Sequence, residues 1–126
     1  MTTGPHTVRA LAEAYWAAEV RRDLDAILAL YHEDAVYQDA GGRVAGMAAL
    51  RAWYERSARD YPRLHVEIVR EFPAADGTAA ALEFHADLWD AAGQHVVIRG
   101  VNVFQVADGR FTAVRSYEDP PAPDAA

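Results

Sequence analysis

Asp39 stands where a short apolar run, Ala35-Val36-Tyr37, gives way to Ala40-Gly41-Gly42. A carboxylate at such a junction is either a general base or a turn cap, because aspartate side chains readily bond the backbone two residues on. Tyr15, Tyr31 and Tyr54 fall on the inner faces of three predicted helices. Each buried phenol needs a hydrogen-bond partner, so the three are either separate core residues bonded to backbone or one connected group. Asn102 lies between Val101 and Val103 in a strongly apolar run. An unpaired buried amide costs about 1–3 kcal/mol, so this one is bonded or faces a cavity. Glu118 shares a face with Val114 and Ser116 and is read as solvated at a fraying strand end rather than as a rim carboxylate. His85 and Asp87 also share a face, but it is opposite the one carrying Leu82, Phe84, Ala86 and Leu88. They are therefore assigned to an outer sheet face or a subunit contact.

Several chemistries are missing their residues. The 126-residue chain has no cysteine, which excludes disulfides, thiol nucleophiles and thiolate metal sites. No histidine cluster has metal-ligand spacing, no glycine-rich loop could cradle phosphate, and no serine motif supports nucleophilic catalysis. With 12 basic and 19 acidic residues the formal net charge is -7, which argues against nucleic acid or an anionic membrane as partner. No apolar run is long enough to span a bilayer, and 1–6 lack the features of a signal peptide, so a cytoplasmic location is expected.

The elements that must position these residues follow from periodicity. Val8, Leu11, Ala12 and Tyr15 have i, i+3, i+4, i+7 spacing within a helix predicted over 7–21, with Trp16 flanking the stripe. Asp23 can cap a second helix over 23–31, with Leu24, Ile27, Leu28 and Tyr31 inward. A third helix over 46–60 carries Leu50, Trp53, Tyr54 and Ser57 on one side and ends at Tyr61-Pro62. Period-two alternation then takes over. Leu64, Val66 and Ile68 form one strand face, and Ala80, Leu82, Phe84, Ala86 and Leu88 form the next. Asp76-Gly77 and Asp108-Gly109 are hairpin signals, and long strands are expected over 95–106 and 111–118. Helices followed by an antiparallel meander define an α+β domain with helices on one face of a curved sheet and a conical cavity between the layers. A single domain over 7–119 is expected, with flexible termini at 1–6 and at the proline-rich 120–126. Val97, Val101 and Val103 are apolar on the face opposite Asn102, so a homodimer through that outer face is expected.

Tyr15, Asp23-Leu24-Asp25, Leu30-Tyr31-His32-Glu33-Asp34-Ala35-Val36, Asp39 and Gly46 together resemble the N-terminal half of bacterial steroid delta-isomerases (ketosteroid isomerases). That family belongs with the SnoaL-like polyketide cyclases in the nuclear transport factor 2-like (NTF2-like) superfamily, and the similarity runs from Val8 to about Glu118. The resemblance implies the cone-shaped NTF2-like fold and a cofactor-independent proton transfer on a small hydrophobic carbonyl-containing ligand. It assigns Asp39 as the proton shuttle, Tyr15 and Asn102 as oxyanion donors, and Tyr31 and Tyr54 as a supporting hydrogen-bond network. Trp53, Phe84, Phe104, Val114, Ser116 and Glu118 would wall the pocket. The shared use of a tyrosine and a neutral acid as an oxyanion hole is the general precedent for this logic.

Three departures matter. Asn102 stands where the isomerases have a protonated aspartic acid, and it is a neutral but weaker donor. Ala40 replaces the usual proline after the base. Glu118 replaces an apolar or aromatic wall, which points to a smaller or more polar ligand than a steroid. Two other readings stay open. A SnoaL-like cyclase or an epoxide hydrolase would use a late-strand acid, yet the hydrolase position holds Ser116. A noncatalytic ligand-binding module is the third use of such a fold.

Overall fold

The computed structural model describes residues 7–119, so the expectation of flexible termini lies outside the described residues. Its elements are α1(Val8–Val20), α2(Leu24–Leu28), β1(Tyr31–Asp39), β2(Gly42–Ala45), α3(Met47–Asp60), β3(Arg63–Pro73), β4(Ala79–Trp89), β5(His95–Ala107) and β6(Arg110–Glu118). Side-chain caps start the first two helices: Thr7 accepts from the Ala10 N–H and Asp23 from the Ala26 N–H. Arg59 in the last turn of α3 suits the negative end of the helix dipole.

The six strands form one mixed sheet in the order β2-β1-β6-β5-β4-β3. The pairs β3–β4, β4–β5 and β5–β6 are antiparallel, as the two Asp-Gly signals and the alternation predict. The pair β1–β6 is parallel, which brings the first strand back beside the last. All three helices lie over one face. α1 packs on β3, β4 and β5, while α3 packs on β1 and β2. The gap between these two helices, floored by the sheet, is the cavity.

The sequence reading needs two corrections. The second helix stops at Leu28, and Tyr31 opens β1 instead of closing a helix. The Phe111 N–H already bonds the Leu30 carbonyl at 2.8 Å, and Tyr31 pairs with Phe111, so sheet pairing overrides the local helical period. Tyr31 is still buried, now as an inward strand residue. After a turn at Ala40-Gly41, Gly42–Ala45 forms a short strand absent from the sequence reading, paired with β1 in a hairpin whose register joins Asp39 to Gly42.

Gly100 of β5 shows how closely neighbouring strands fit. A Cβ there would run into the Tyr117 carbonyl and press on Glu118 Cα at 3.1 Å, so only glycine lets the end of β6 lie this close. On the outer face, Val97 is 60% exposed and Tyr117 57% exposed, while Val101 and Val103 are half-buried. His85 is exposed there, and Asp87 Oδ1 accepts from His95 Nε2 at 2.8 Å on the same face, away from the helices. Among the described residues no helix is long and apolar enough to cross a membrane.

Candidate active site

The cavity between α1, α3 and the sheet has a volume of about 410 Å³, within the range that encloses a small organic ligand. Its wall includes Tyr15, Asp39, Asn102, Ser116 and Glu118, together with Trp53 and Phe84. Strand alternation explains Asn102 and Ser116. Asn102 pairs with Ser116 and with Leu82, and all three face the helices.

Asp39 is half-buried at the β1–β2 turn. Its Oδ1 accepts from the Gly41 N–H at 2.8 Å, and its Oδ2 accepts from the Tyr37 hydroxyl at 3.2 Å. The carboxylate therefore caps the turn and lines the cavity at once; the two readings of this residue are compatible.

Behind the wall, three phenols are connected. The Tyr54 hydroxyl lies 2.6 Å from that of Tyr15 and 2.6 Å from that of Tyr31, so Tyr54 is the centre of the chain. Only Tyr15 reaches the cavity. Burial raises the pKa of all three, most clearly for Tyr15 and Tyr54, so each stays a neutral donor throughout the physiological range. The Tyr15 ring is packed edge-on against Phe104, Phe111 and Trp16, which fixes its direction.

Asn102 is 4% exposed, and its Oδ1 is buried with no hydrogen-bond partner. It is the one buried side-chain polar atom among the described residues left in that state. A half-turn of the amide exchanges its oxygen and its NH2, so the cavity can be offered either a donor or an acceptor.

Glu118 differs from its sequence reading. It keeps much of its surface open, yet its carboxyl lines the cavity and accepts from Ser116 Oγ at 3.3 Å. Desolvation, with repulsion from Asp39 behind it, raises its pKa above the ordinary carboxylate value. It is a rim carboxylate, not a freely solvated one.

Phe104 and Val114 do not wall the pocket. They pair with each other across β5 and β6 at the closed end, fully buried beneath Tyr15, with the Phe104 ring 5.6 Å from the Tyr15 ring. Alternation put them on the correct face, but they lie deeper than the cavity floor.

Sequence reading overlooked Glu19, Arg22 and Tyr37, which line the same space. Glu19 follows Tyr15 by four residues, so one helical turn places both on one face, and that spacing was the available signal. Tyr37 stacks near Trp53, with ring centroids 4.4 Å apart, and points its hydroxyl at Asp39. Among the described residues no group of three His, Asp or Glu is placed to hold a metal ion.

A domain of this architecture has known relatives, and residues 12–114 match the model of the SnoaL-like domain. The chain belongs to the SnoaL-like domain family, within the NTF2-like superfamily. No curated protein sequence matches it. Solved structures similar to this SnoaL-like domain include a Δ5-3-ketosteroid isomerase from Mycobacterium sp., at 28% identity over 87% of this chain and 91% of the other, with a TM-score of 0.79. A polyketide cyclase candidate from Pseudomonas putida is 31% identical over 90% of this chain and 92% of its own, with a TM-score of 0.78. An LEH-like epoxide hydrolase from Mycobacterium tuberculosis is 30% identical over 90% of this chain and 83% of its own, with a TM-score of 0.76. The family thus spans isomerase, cyclase and hydrolase chemistries on one scaffold.

Proposed function

We propose that this SnoaL-like domain is a cofactor-independent enzyme that removes a proton alpha to a carbonyl and stabilises the resulting dienolate, shifting a double bond into conjugation. The observation that carries the reading is the convergence of Asp39, Tyr15 and Asn102 on one cavity, with Tyr15 backed by the Tyr54–Tyr31 chain. Asp39 takes the proton. The developing oxyanion is held by the Tyr15 hydroxyl and the Asn102 amide, both neutral donors on buried residues, where each bond is stronger than in water. Asp39 then returns the proton to another carbon, and its place beside a short glycine-containing turn gives it the reach to do so. The substrate is a small ketone with polar groups beyond the carbonyl, because Glu118 and Ser116 face it where an apolar wall would suit a steroid.

The test is a screen of beta,gamma-unsaturated ketones followed by ultraviolet absorbance of the conjugated product. Asp39→Asn is expected to lower turnover by about 100- to 10,000-fold, the usual worth of a general base. It should leave phenol binding intact or tighter, because a charge beside the phenolate is gone. Retention of most of the activity would place the base elsewhere.

A cyclase is the second reading, favoured by the perturbed carboxyl of Glu118 on the last strand. There Glu118→Gln, not Asp39→Asn, would remove most of the turnover of a cyclisable polyketide. The same proposal includes a cytoplasmic setting and a homodimer built on the outer sheet face around Val97 and Tyr117. Sedimentation at micromolar concentration should give a dimer that Val97→Asp dissociates; monomer alone would refute it.

A further inference from the structure

The cavity holds a carboxyl that the isomerisation does not use. Glu19 lies one turn beyond Tyr15 on α1, with its side chain 14% exposed, and lines the same wall. Its charge partner is Arg22, whose side chain is 12% exposed and whose Nη1 is 3.6 Å from Glu19 Oε1, beyond hydrogen-bonding distance.

Arg22 is otherwise engaged. Its Nε donates to the Tyr61 carbonyl at 3.1 Å, and its Nη2 donates to the carbonyls of Tyr61 and Ser57, which holds the end of α3. It does so from a left-handed backbone, φ 53, that disfavours any side chain but glycine. The guanidinium is thus held beside Glu19 while its hydrogen bonds go to the end of α3. What results is a largely buried carboxyl, steered by a cation, with its oxygens free to meet a ligand.

We propose that Glu19 is a general acid acting on a substrate oxygen, so that the site also dehydrates beta-hydroxy ketones. This rests on the reading of Asp39 as the base. Asp39 takes the proton from the carbon between carbonyl and hydroxyl-bearing carbon, and the C–H electron pair enters the enolate held by Tyr15 and Asn102. The enolate collapses to a carbon–carbon double bond, the C–O bond breaks with its electron pair going to oxygen, and that oxygen takes the Glu19 proton and leaves as water. Asp39 ends protonated and Glu19 ionised, and exchange with solvent resets both. The net reaction is hydroxy ketone to enone plus water.

The electrostatics agree with this division of labour. Desolvation pushes the Glu19 carboxyl up to about 7, with Arg22 opposing, so the acid form is present near neutrality, where a proton donor works best. The other charged and titratable groups around the cavity are Arg22 in the turn after α1, Tyr15 on α1, Arg56 and Asp60 on α3, Tyr61 just after α3, Tyr37 and Asp39 on β1, and Glu118 on β6. Burial raises the Tyr37 phenol, and the charges of Asp39 and Glu19, which line the same cavity, add to that.

The experiment uses a matched pair of substrates, a beta,gamma-unsaturated ketone and the beta-hydroxy ketone that yields the same conjugated enone. Glu19→Gln is expected to lower the ratio of dehydration to isomerisation by about 100-fold or more, the worth of a general acid. An unchanged ratio overturns the proposal, as does wild-type protein that isomerises the enone but never dehydrates the hydroxy ketone. Asp39→Asn that keeps isomerisation overturns instead the reading beneath it. A second measurement needs no variant: carboxyl carbon NMR of wild-type protein. The Glu19 signal should titrate near 7 and move more with the hydroxy ketone than with the same ketone lacking the hydroxyl. Equal responses to the two, or titration in the ordinary glutamate range, overturn the assignment.

Discussion

At the closed end of the cavity three tyrosine hydroxyls satisfy one another, with 2.6 Å at each of two links, and none depends on solvent. At the rim, Asp39 leans on a backbone N–H and a phenol, and Glu118 on a single serine hydroxyl at 3.3 Å. The closed end is neutral, aromatic and held in place by edge-on ring contacts. The rim is charged and partly wet. Polar groups that stay neutral can be buried in a mutually bonded set, whereas groups that must carry charge are kept where water or a turn can stabilise them. The base is accordingly at the mouth and the oxyanion donors at the bottom.

The largest way to break this contrast is to remove the donor that links chain and cavity. Tyr15→Phe is expected to slow enone turnover by about 100- to 1,000-fold, as loss of one oxyanion donor does elsewhere. It should also weaken phenolate binding, which absorbance titration would measure; unchanged affinity would mean that Tyr15 is only a core residue.

Removing the middle of the chain should damage the fold. Tyr54→Phe leaves the hydroxyls of Tyr15 and Tyr31 both without a partner, at about 1–3 kcal/mol for each buried group left unsatisfied. Chemical denaturation should show that loss. Tyr31→Phe deletes only the link farthest from the cavity and should destabilise less, while still weakening Tyr15 as a donor through Tyr54. A double-mutant cycle of Tyr15 and Tyr31 on phenolate affinity should show coupling, and additive effects would dissolve the chain into separate residues.

The smallest effect concerns charge. Glu19 has its pKa raised from an ordinary 4.5 to about 7, so the native state holds this proton more tightly than the unfolded chain. Its stabilising contribution is complete below about pH 4.5 and is lost as pH rises to about 7, because only the unfolded state has released the proton in that window. Denaturation at several pH values should show a decline across it that Glu19→Gln flattens. An equal decline in the variant would assign the effect to other groups.

Much of this arrangement was legible in the chain. Alternation put Asn102, Ser116 and Phe84 on the inner face, and helical spacing put Tyr15 and Tyr54 there. Alternation reports a face but not a depth, so it could not correct the resemblance where that set Phe104 and Val114 in the pocket wall; they lie beneath it. Helical period reports burial but not the element, so Tyr31 was rightly buried and wrongly helical. Glu19 escaped because apolar stripes were traced through apolar residues, and a buried acid looks like an interruption until its neighbours are known.

Gly100 carries a consequence for how this scaffold can change. Because any side chain there collides with the Tyr117 carbonyl and crowds Glu118, the pairing of mid-β5 with the end of β6, which sets the position of Glu118 at the cavity, does not tolerate substitution at this point. New ligand shapes are more readily accommodated from the helical side, where Trp16, Trp53, Arg56 and Ser57 meet the cavity from α1 and α3 and can be exchanged without forcing two strands apart. A library confined to those helix positions should yield folded variants with altered ligand preference far more often than one centred on Gly100.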